Sequence, residues 1–223
     1  MNRPGWAVGA AVLAAAAGMA TAQPYPGKSI RMIIPAPPGG GVDTVGRTIA
    51  LKLAEATGQP VIPDNRAGAA TMIGSELTAK APPDGYTVLM VTNSHTINAV
   101  LIKNLRYDPV KDFSPVTQVA AAPMLLLVHP SVPAASIKEL LALARRRPGQ
   151  LYYASAGSGS ITHLAGALFA SMANVSVVHV PYKGGMPGLV DLIGGHVQIM
   201  FNNLISSASL VNGGRLRLLA VTG

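Results

Sequence analysis

The chain contains no cysteine at all among its 223 residues. Disulfides, thiolate metal sites, cysteine nucleophiles and a lipid-modified cysteine are therefore excluded. Acids are also scarce, nine against 17 Lys+Arg. Glu139 and Asp191 are the only acidic side chains after residue 123, which leaves little to orient a catalytic histidine there. Aromatics make up 4% of the chain and are sparse around its one dense basic run, Arg145-Arg146-Arg147, which argues against a base-stacking nucleic-acid surface. That run ends an expected helix just before Pro148-Gly149, where cations complement the helix dipole. No segment after residue 22 is long and apolar enough to span a bilayer.

What is present begins with a leader. Arg3 is the only charge before Lys28, Trp6 to Ala20 is an unbroken small and apolar run, and Ala20-Thr21-Ala22 offers a signal-peptidase site. Residues 1–22 therefore read as a cleaved secretory signal, leaving 17 − 1 = 16 Lys+Arg against 9 acids, a net +7 suited to anionic partners.

The organising stretch is Ser29 to Gly58. Ile30, Met32, Ile33 and Ile34 read as a buried strand, Pro35 to Gly41 as a loop, and Asp43 as the cap of a helix bearing Val45, Ile49 and Leu53 on one face. Three consecutive glycines at a helix N-terminus leave N–H groups open to an anion. Further strands are expected at 61–62, 87–91, 116–119, 124–128, 151–154, 175–180, 197–201 and 216–221. Helices are expected around Ile73 and Leu77, over 96–105, from the Ser136-Ile137-Lys138-Glu139 capping box, over 161–173 with Leu164 and Leu168 inward, and up to Ile193. Repeated βα units predict a mostly parallel sheet covered by helices, with ligands beyond the carboxyl ends of the strands. Glycine-rich loops recur there, at Gly39 to Gly41, Gly157 to Gly159 and Gly184-Gly185.

Catalytic patterns fail on inspection. Gly27-Lys28-Ser29 precedes its strand and lacks the upstream glycine of a phosphate loop, and Gly157-Ser158-Gly159-Ser160 is neither a nucleophile elbow nor a dinucleotide fingerprint. His163 follows Ser158 by five residues, but no carboxylate is placed to orient it. The five histidines are scattered without helical pairing, so neither a metal nor another cofactor is called for. His129 and His179 read as strand-end residues, while His95 and His163 sit at loop-to-helix junctions where binding and structural readings stand level. A polar set remains, neutral except for Lys183: Asn65, Ser94, Ser155, Ser158, Thr162, Tyr182, Lys183, Asn202 and Asn203, able to hold a carboxylate reversibly with helix-terminal N–H groups.

Several stretches carry a family resemblance: Tyr25-Pro26, Pro37-Pro38-Gly39-Gly40, Asn65 to Ala69, Pro83 to Thr87, Tyr107 to Phe113, His163 to Gly166 and Val180 to Gly185. In this order they resemble the Bug family, periplasmic substrate-binding proteins of tripartite tricarboxylate transporters. The resemblance implies an α/β, two-lobed Venus-flytrap fold of the type II kind, lobe 1 over 23–122 and lobe 2 over 123–223. It also implies a receptor that captures a small carboxylate, a di- or tricarboxylate, aromatic acid or acidic amino acid, and delivers it to membrane permease subunits without turnover. Carried over by position, the binding residues are Pro38, Gly39, Gly40, Asn93, Ser94, Ser155, Gly157, Ser158, Thr162, His163, Tyr182, Lys183, Gly184 and Asn202. Asn202-Asn203 stands where the family often has Asp-Asn, removing a carboxylate. Family members also run on past a segment like Ala220-Val221-Thr222, so a first lobe incomplete in this chain is expected. The rival readings are a receptor signalling to a membrane sensor and a serine-dependent or nucleotide-dependent enzyme.

Overall fold

A computed structural model describes residues 24–222; the leader expected over 1–22 lies outside them. The chain forms two sheets, one of three strands in the order β2-β1-β3 and one of five. In the first, β1 (Ile30–Ile34) lies between β2 (Val61–Asn65) and β3 (Thr87–Leu89), and both pairings are parallel. Ile33 and Ile34 are fully buried, and each such side chain stabilises the fold by about 1.5–3 kcal/mol. The strand expected at 61–62 continues through Pro63 because β2 is an edge strand, where a missing N–H costs no ladder bond.

Helix α1 (Gly41–Thr57) follows β1 and closes at Gly58, whose backbone is left-handed. Its cap is Gly40, not Asp43, because Asp43 already lies within the first turn. The inward face is Gly46 and Ala50 with Val42, Ile49 and Ala54 beside them, so Leu53 is left partly exposed, at 38%. A short 3₁₀ turn (Ala69–Thr71) and α2 (Met72–Ala79) follow β2, and α3 (Ser94–Leu101) follows β3. The helix expected over 96–105 starts and stops earlier, since Ile102 turns extended.

His95 proves structural. It is buried, with Nδ1 against Ser75 Oγ at 3.2 Å and Nε2 against Pro109 O at 3.0 Å, stacked on Tyr107 and edge-on to Phe113. It thereby fastens the irregular 102–113 connection to α2 and α3.

The second sheet runs β6-β5-β7-β4-β8, with β4 (Met124–Val128), β5 (Tyr152–Ser155), β6 (Val178–Pro181), β7 (Ile199–Asn203) and β8 (Arg217–Val221). β5, β6 and β7 are parallel, whereas β4 runs antiparallel to both β7 and β8. Strand β4 has no crossover helix before it and enters from the opposite end, which the βα rhythm of the sequence did not reveal. The strand expected at 116–119 does not form: Val116 is 88% exposed and that segment pairs with no strand among the described residues.

Helix α4 (Ile137–Arg146) begins on the anticipated box: Ser136 Oγ accepts from Glu139 N, and Glu139 reaches back to Ala135 N–H, one residue earlier than the usual reciprocal bond. Helices α5 (Ile161–Ala173), α6 (Gly185–Ile193) and α7 (Leu204–Asn212) complete this half. In α5, Thr162, Ala165, Gly166 and Phe169 face inward, and Leu168 is exposed at 60%. Gly166 lets α5 lie directly on Tyr153, where a Cβ would meet the ring at 2.2 Å. No helix among the described residues is long and apolar enough to cross a membrane.

Candidate functional site between the two lobes

Loops leaving the carboxyl ends of strands in both lobes meet along one seam. In lobe 1 these are the β1–α1 loop, the β2–α2 connection and the β3–α3 connection; in lobe 2 they follow β5, β6 and β7. Glycines make the approach possible. A Cβ on Gly184 would lie 2.4 Å from Pro37 Cγ, one on Gly41 2.4 Å from Asn203 Oδ1, and one on Gly40 3.6 Å from Met186 Cγ. The N-termini of α1, α6 and α7 therefore border the seam, and first-turn N–H groups have no partner within their own helices.

The β1–α1 loop is held from inside lobe 1. Asp43 is 4% exposed, and its carboxylate accepts from Gly39 N–H at 2.9 Å, from Arg47 Nε at 3.0 Å and from Asn65 Nδ2 at 2.8 Å. Asn65 Nδ2 also donates to Ala36 O, and Arg47 Nη2 donates to Asn65 Oδ1. Burial pushes the Asp43 pKa up, but the hydrogen bonds from Arg47, Gly39 and Asn65 outweigh it and hold the carboxyl below its ordinary value. Asn65 is thus a brace for the loop, and Gly39 N–H is already occupied.

In lobe 2, Ser155 is fully buried: its Oγ accepts from Gly157 N–H at 3.1 Å and lies 2.6 Å from His179 Nε2. His179 stacks between Tyr153 (4.9 Å) and His163 (4.1 Å). Burial, with the neighbouring His163 adding to it, lowers the His179 pKa and keeps the ring neutral. Thr162 Oγ1 accepts from Ala156 N–H, and Ser160 Oγ, the α5 cap, accepts from His163 N–H. His163 Nδ1 accepts from Gly159 N–H at 3.2 Å, so it makes no pair with Ser158. The serine–histidine pair at the end of β5 is Ser155–His179, with Ser155 fully buried. Among the described residues, no three His, Cys, Asp or Glu side chains gather where an ion could sit.

The remaining expected positions divide by what their side chains touch. Tyr182 directs its hydroxyl to Asp191 Oδ2 at 2.6 Å, and burial plus this bond pushes its pKa up to about 12. Asn202 is 3% exposed and donates to Ser206 Oγ and Ser207 Oγ while accepting from Asn203 Nδ2. Ser94 is buried in the first turn of α3, whereas Asn93 ahead of it is exposed. Asn93, Ser158 and Lys183 are exposed and make no side-chain hydrogen bond among the described residues. Pro38, Gly39, Gly40, Gly157 and Gly184 contribute backbone, and Gly157 and Gly184 have φ of +124° and +117°.

Of the two asparagines expected here, Asn203 rather than Asn202 meets lobe 1, because neighbouring residues of a strand point to opposite faces. Two features had no signal in the sequence. Ala69, Ala70 and Thr71 all have positive φ (46°, 48° and 78°) without a glycine to signal it. Asn98, fully buried in α3, pins that turn by donating from Nδ2 to Ala70 O at 2.8 Å.

Comparison with known proteins places this architecture. Residues 45–223 match the family model described as "Tripartite tricarboxylate transporter family receptor" (TctC). The chain belongs to that family. This TctC chain is 41% identical over 198 residues to the UPF0065 protein in the tcbD-tcbE intergenic region of Pseudomonas sp. strain P51, covering 89% of this chain and 59% of that protein. It is 36% identical over 215 residues to BugT of Bordetella pertussis, covering 94% and 66%. The chain thus spans about three fifths to two thirds of the length of these relatives. Among solved structures it resembles R. palustris Rpa4515 with adipate, with a TM-score of 0.86 and 39% identity over 89% of this chain and 67% of that one. MatC from Rhodopseudomonas palustris with bound malate superposes with a TM-score of 0.82 at 27% identity, covering 89% and 68%. The α/β fold it shares with periplasmic binding proteins and its membership of the TctC family are therefore established.

Proposed function

We propose that the TctC chain is a periplasmic receptor that captures a small dicarboxylate between its lobes for the permease subunits of a tripartite tricarboxylate transporter. The observation that carries the reading is the seam itself. Helix N-termini from both lobes border it, its walls are glycine backbone and side chains that are neutral except for Lys183, and among the described residues Asn93, Ser158 and Lys183 make no side-chain hydrogen bond. Such a wall offers N–H donors to a carboxylate at either end of a ligand, with Lys183 its one cation, which suits capture followed by release. Adipate and malate in two structural neighbours are the ligand chemistry this seam fits.

Pro38 to Gly40 with Gly41 and Asn93-Ser94 form the lobe 1 side of the site. Gly157-Ser158, Lys183-Gly184 and the turn around Asn202-Asn203 form the lobe 2 side, while Ser155, Thr162, His163 and Tyr182 hold those loops in shape from beneath. The lobes divide near residue 122, and residues 1–22 direct export before removal. Thermal unfolding with and without a panel of di- and tricarboxylates, aromatic acids and acidic amino acids tests the reading. A ligand present at a hundred times its Kd stabilises the folded state by about 2.7 kcal/mol, which raises Tm by several degrees. A panel without any shift would refute it.

A further inference from the structure

Asn98 carries an acceptor that the fold leaves unused. Its side chain is fully buried on the second turn of α3, its Nδ2 is bonded to Ala70 O, and its Oδ1 has no hydrogen-bond partner among the described residues. Buried carbonyl oxygens of this kind are rare, because the group has given up water and received nothing in return.

The position of the orphan gives it meaning. The nearest atom to a Cβ built on Gly159 is Asn98 Oδ1, at 3.4 Å, so the cover over this oxygen comes from the opposite lobe. In the same loop, a Cβ built on Gly157 would lie 3.7 Å from the backbone nitrogen of Ala70, the residue Asn98 pins. Ala70 belongs to the run of three left-handed, non-glycine residues, a conformation that persists only when the surroundings over-determine it. The direct bond from Asn98 is one such restraint, and it fixes the amide so that Nδ2 points at the turn and Oδ1 at the seam.

We propose that Asn98 is a specificity-determining residue whose Oδ1 requires a hydrogen-bond donor on the ligand, so that the receptor selects dicarboxylates bearing a hydroxyl or ammonium group over their unsubstituted counterparts. The inference rests on the receptor reading above. A carboxylate oxygen brings only lone pairs to a carbonyl, whereas a hydroxyl or ammonium brings a proton. When the lobes close on a ligand lacking such a donor, Oδ1 stays buried and unpaired; a ligand with a donor removes that penalty. Sites built around a buried polar group reject the analogue that leaves the group unsatisfied.

Malate and succinate differ only in one hydroxyl, which makes them the probes. Titration calorimetry of the chain is expected to show malate binding at least about tenfold more tightly than succinate, a difference of about 1.4 kcal/mol. Asn98→Leu, similar in volume but without the acceptor, is expected to bring the two affinities together. Equal affinities in the wild type, or a preference that survives in Asn98→Leu, would overturn the proposal. If Asn98→Leu fails to fold, the wild-type ratio alone decides. Binding of adipate without either probe would overturn this assignment and leave the receptor reading standing. Failure of every carboxylate tried would overturn both.

Discussion

Gly184→Ala separates backbone strain from lobe contact. Gly184 caps α6 with φ +117°, a conformation that L side chains rarely adopt, so alanine there is expected to cost about 1–3 kcal/mol whether the lobes are together or apart. The second effect acts only when they meet. The new Cβ would lie 2.4 Å from Pro37 Cγ and 2.5 Å from Cδ, more than 1 Å inside the ordinary carbon–carbon separation of about 3.5–4.0 Å. A proline ring cannot swing aside as a flexible side chain does, so the lobes must part by roughly that shortfall. Affinity for a carboxylate bound between them should fall about tenfold or more, since contacts on both sides cannot then form together.

Chemical denaturation would read the strain and calorimetry with adipate the closure effect. Pro37→Ala in the Gly184→Ala background is the control: it should restore affinity and leave the stability loss in place. Wild-type affinity in Gly184→Ala, or a double variant that binds no better than the single, would refute the argument.

Three further outcomes follow from side-chain environments. Tyr182→Phe removes the bond to Asp191 and should cost about 1–2 kcal/mol in denaturant melts; wild-type stability in the variant would contradict this. Asp43→Ala strips the Gly39 and Asn65 donors of their acceptor and should destabilise by about 2–4 kcal/mol. Since the folded Asp43 pKa is depressed, its contribution is complete above the ordinary carboxylate value and fades as pH falls below about 4; Asp43→Asn should show a flatter acid limb in Tm. His179 has its folded pKa lowered, so the unfolded chain takes the proton first as pH drops past about 6.5. Stability from the neutral stack should therefore decline as pH falls below that point, and equal slopes for wild type and His179→Gln would exclude the effect.

Much of the fold was legible because the signals were local. Ile30 to Ile34 followed by Pro35-Ala36-Pro37 leaves little choice but strand then loop, and Ser136 with Glu139 announces α4 outright. Inward faces were harder: Leu53 and Leu168 satisfy helical periodicity, yet the sheets accept Ala50 and Gly166, because close helix packing favours small residues over large ones. The reversal of β4 was invisible, since strand direction is set by tertiary connection and not by the composition of Met124 to Val128.

At the seam, sequence marked the loops correctly as strand-end, glycine-rich segments but not which side chains within them are free. Ser155, Thr162 and Asn202 have the same chemistry as Ser158 and Asn93, and only the packed structure shows the first three tied into their own lobe. Asn98 was hidden for the opposite reason. It sits in a helix interior, and its importance comes from a turn 28 residues away.

The most direct measurement is an amide-resolved NMR titration of the labelled chain with adipate and with malate. Capture between the lobes predicts saturable shifts for at least one acid, concentrated at Gly39 to Gly41, Gly157-Ser158 and Gly184, from both lobes at one common Kd. Shifts confined to one lobe or lying away from the seam, as at the depression lined by Arg145, Asn174 and Val175, would contradict the account, as would none at all.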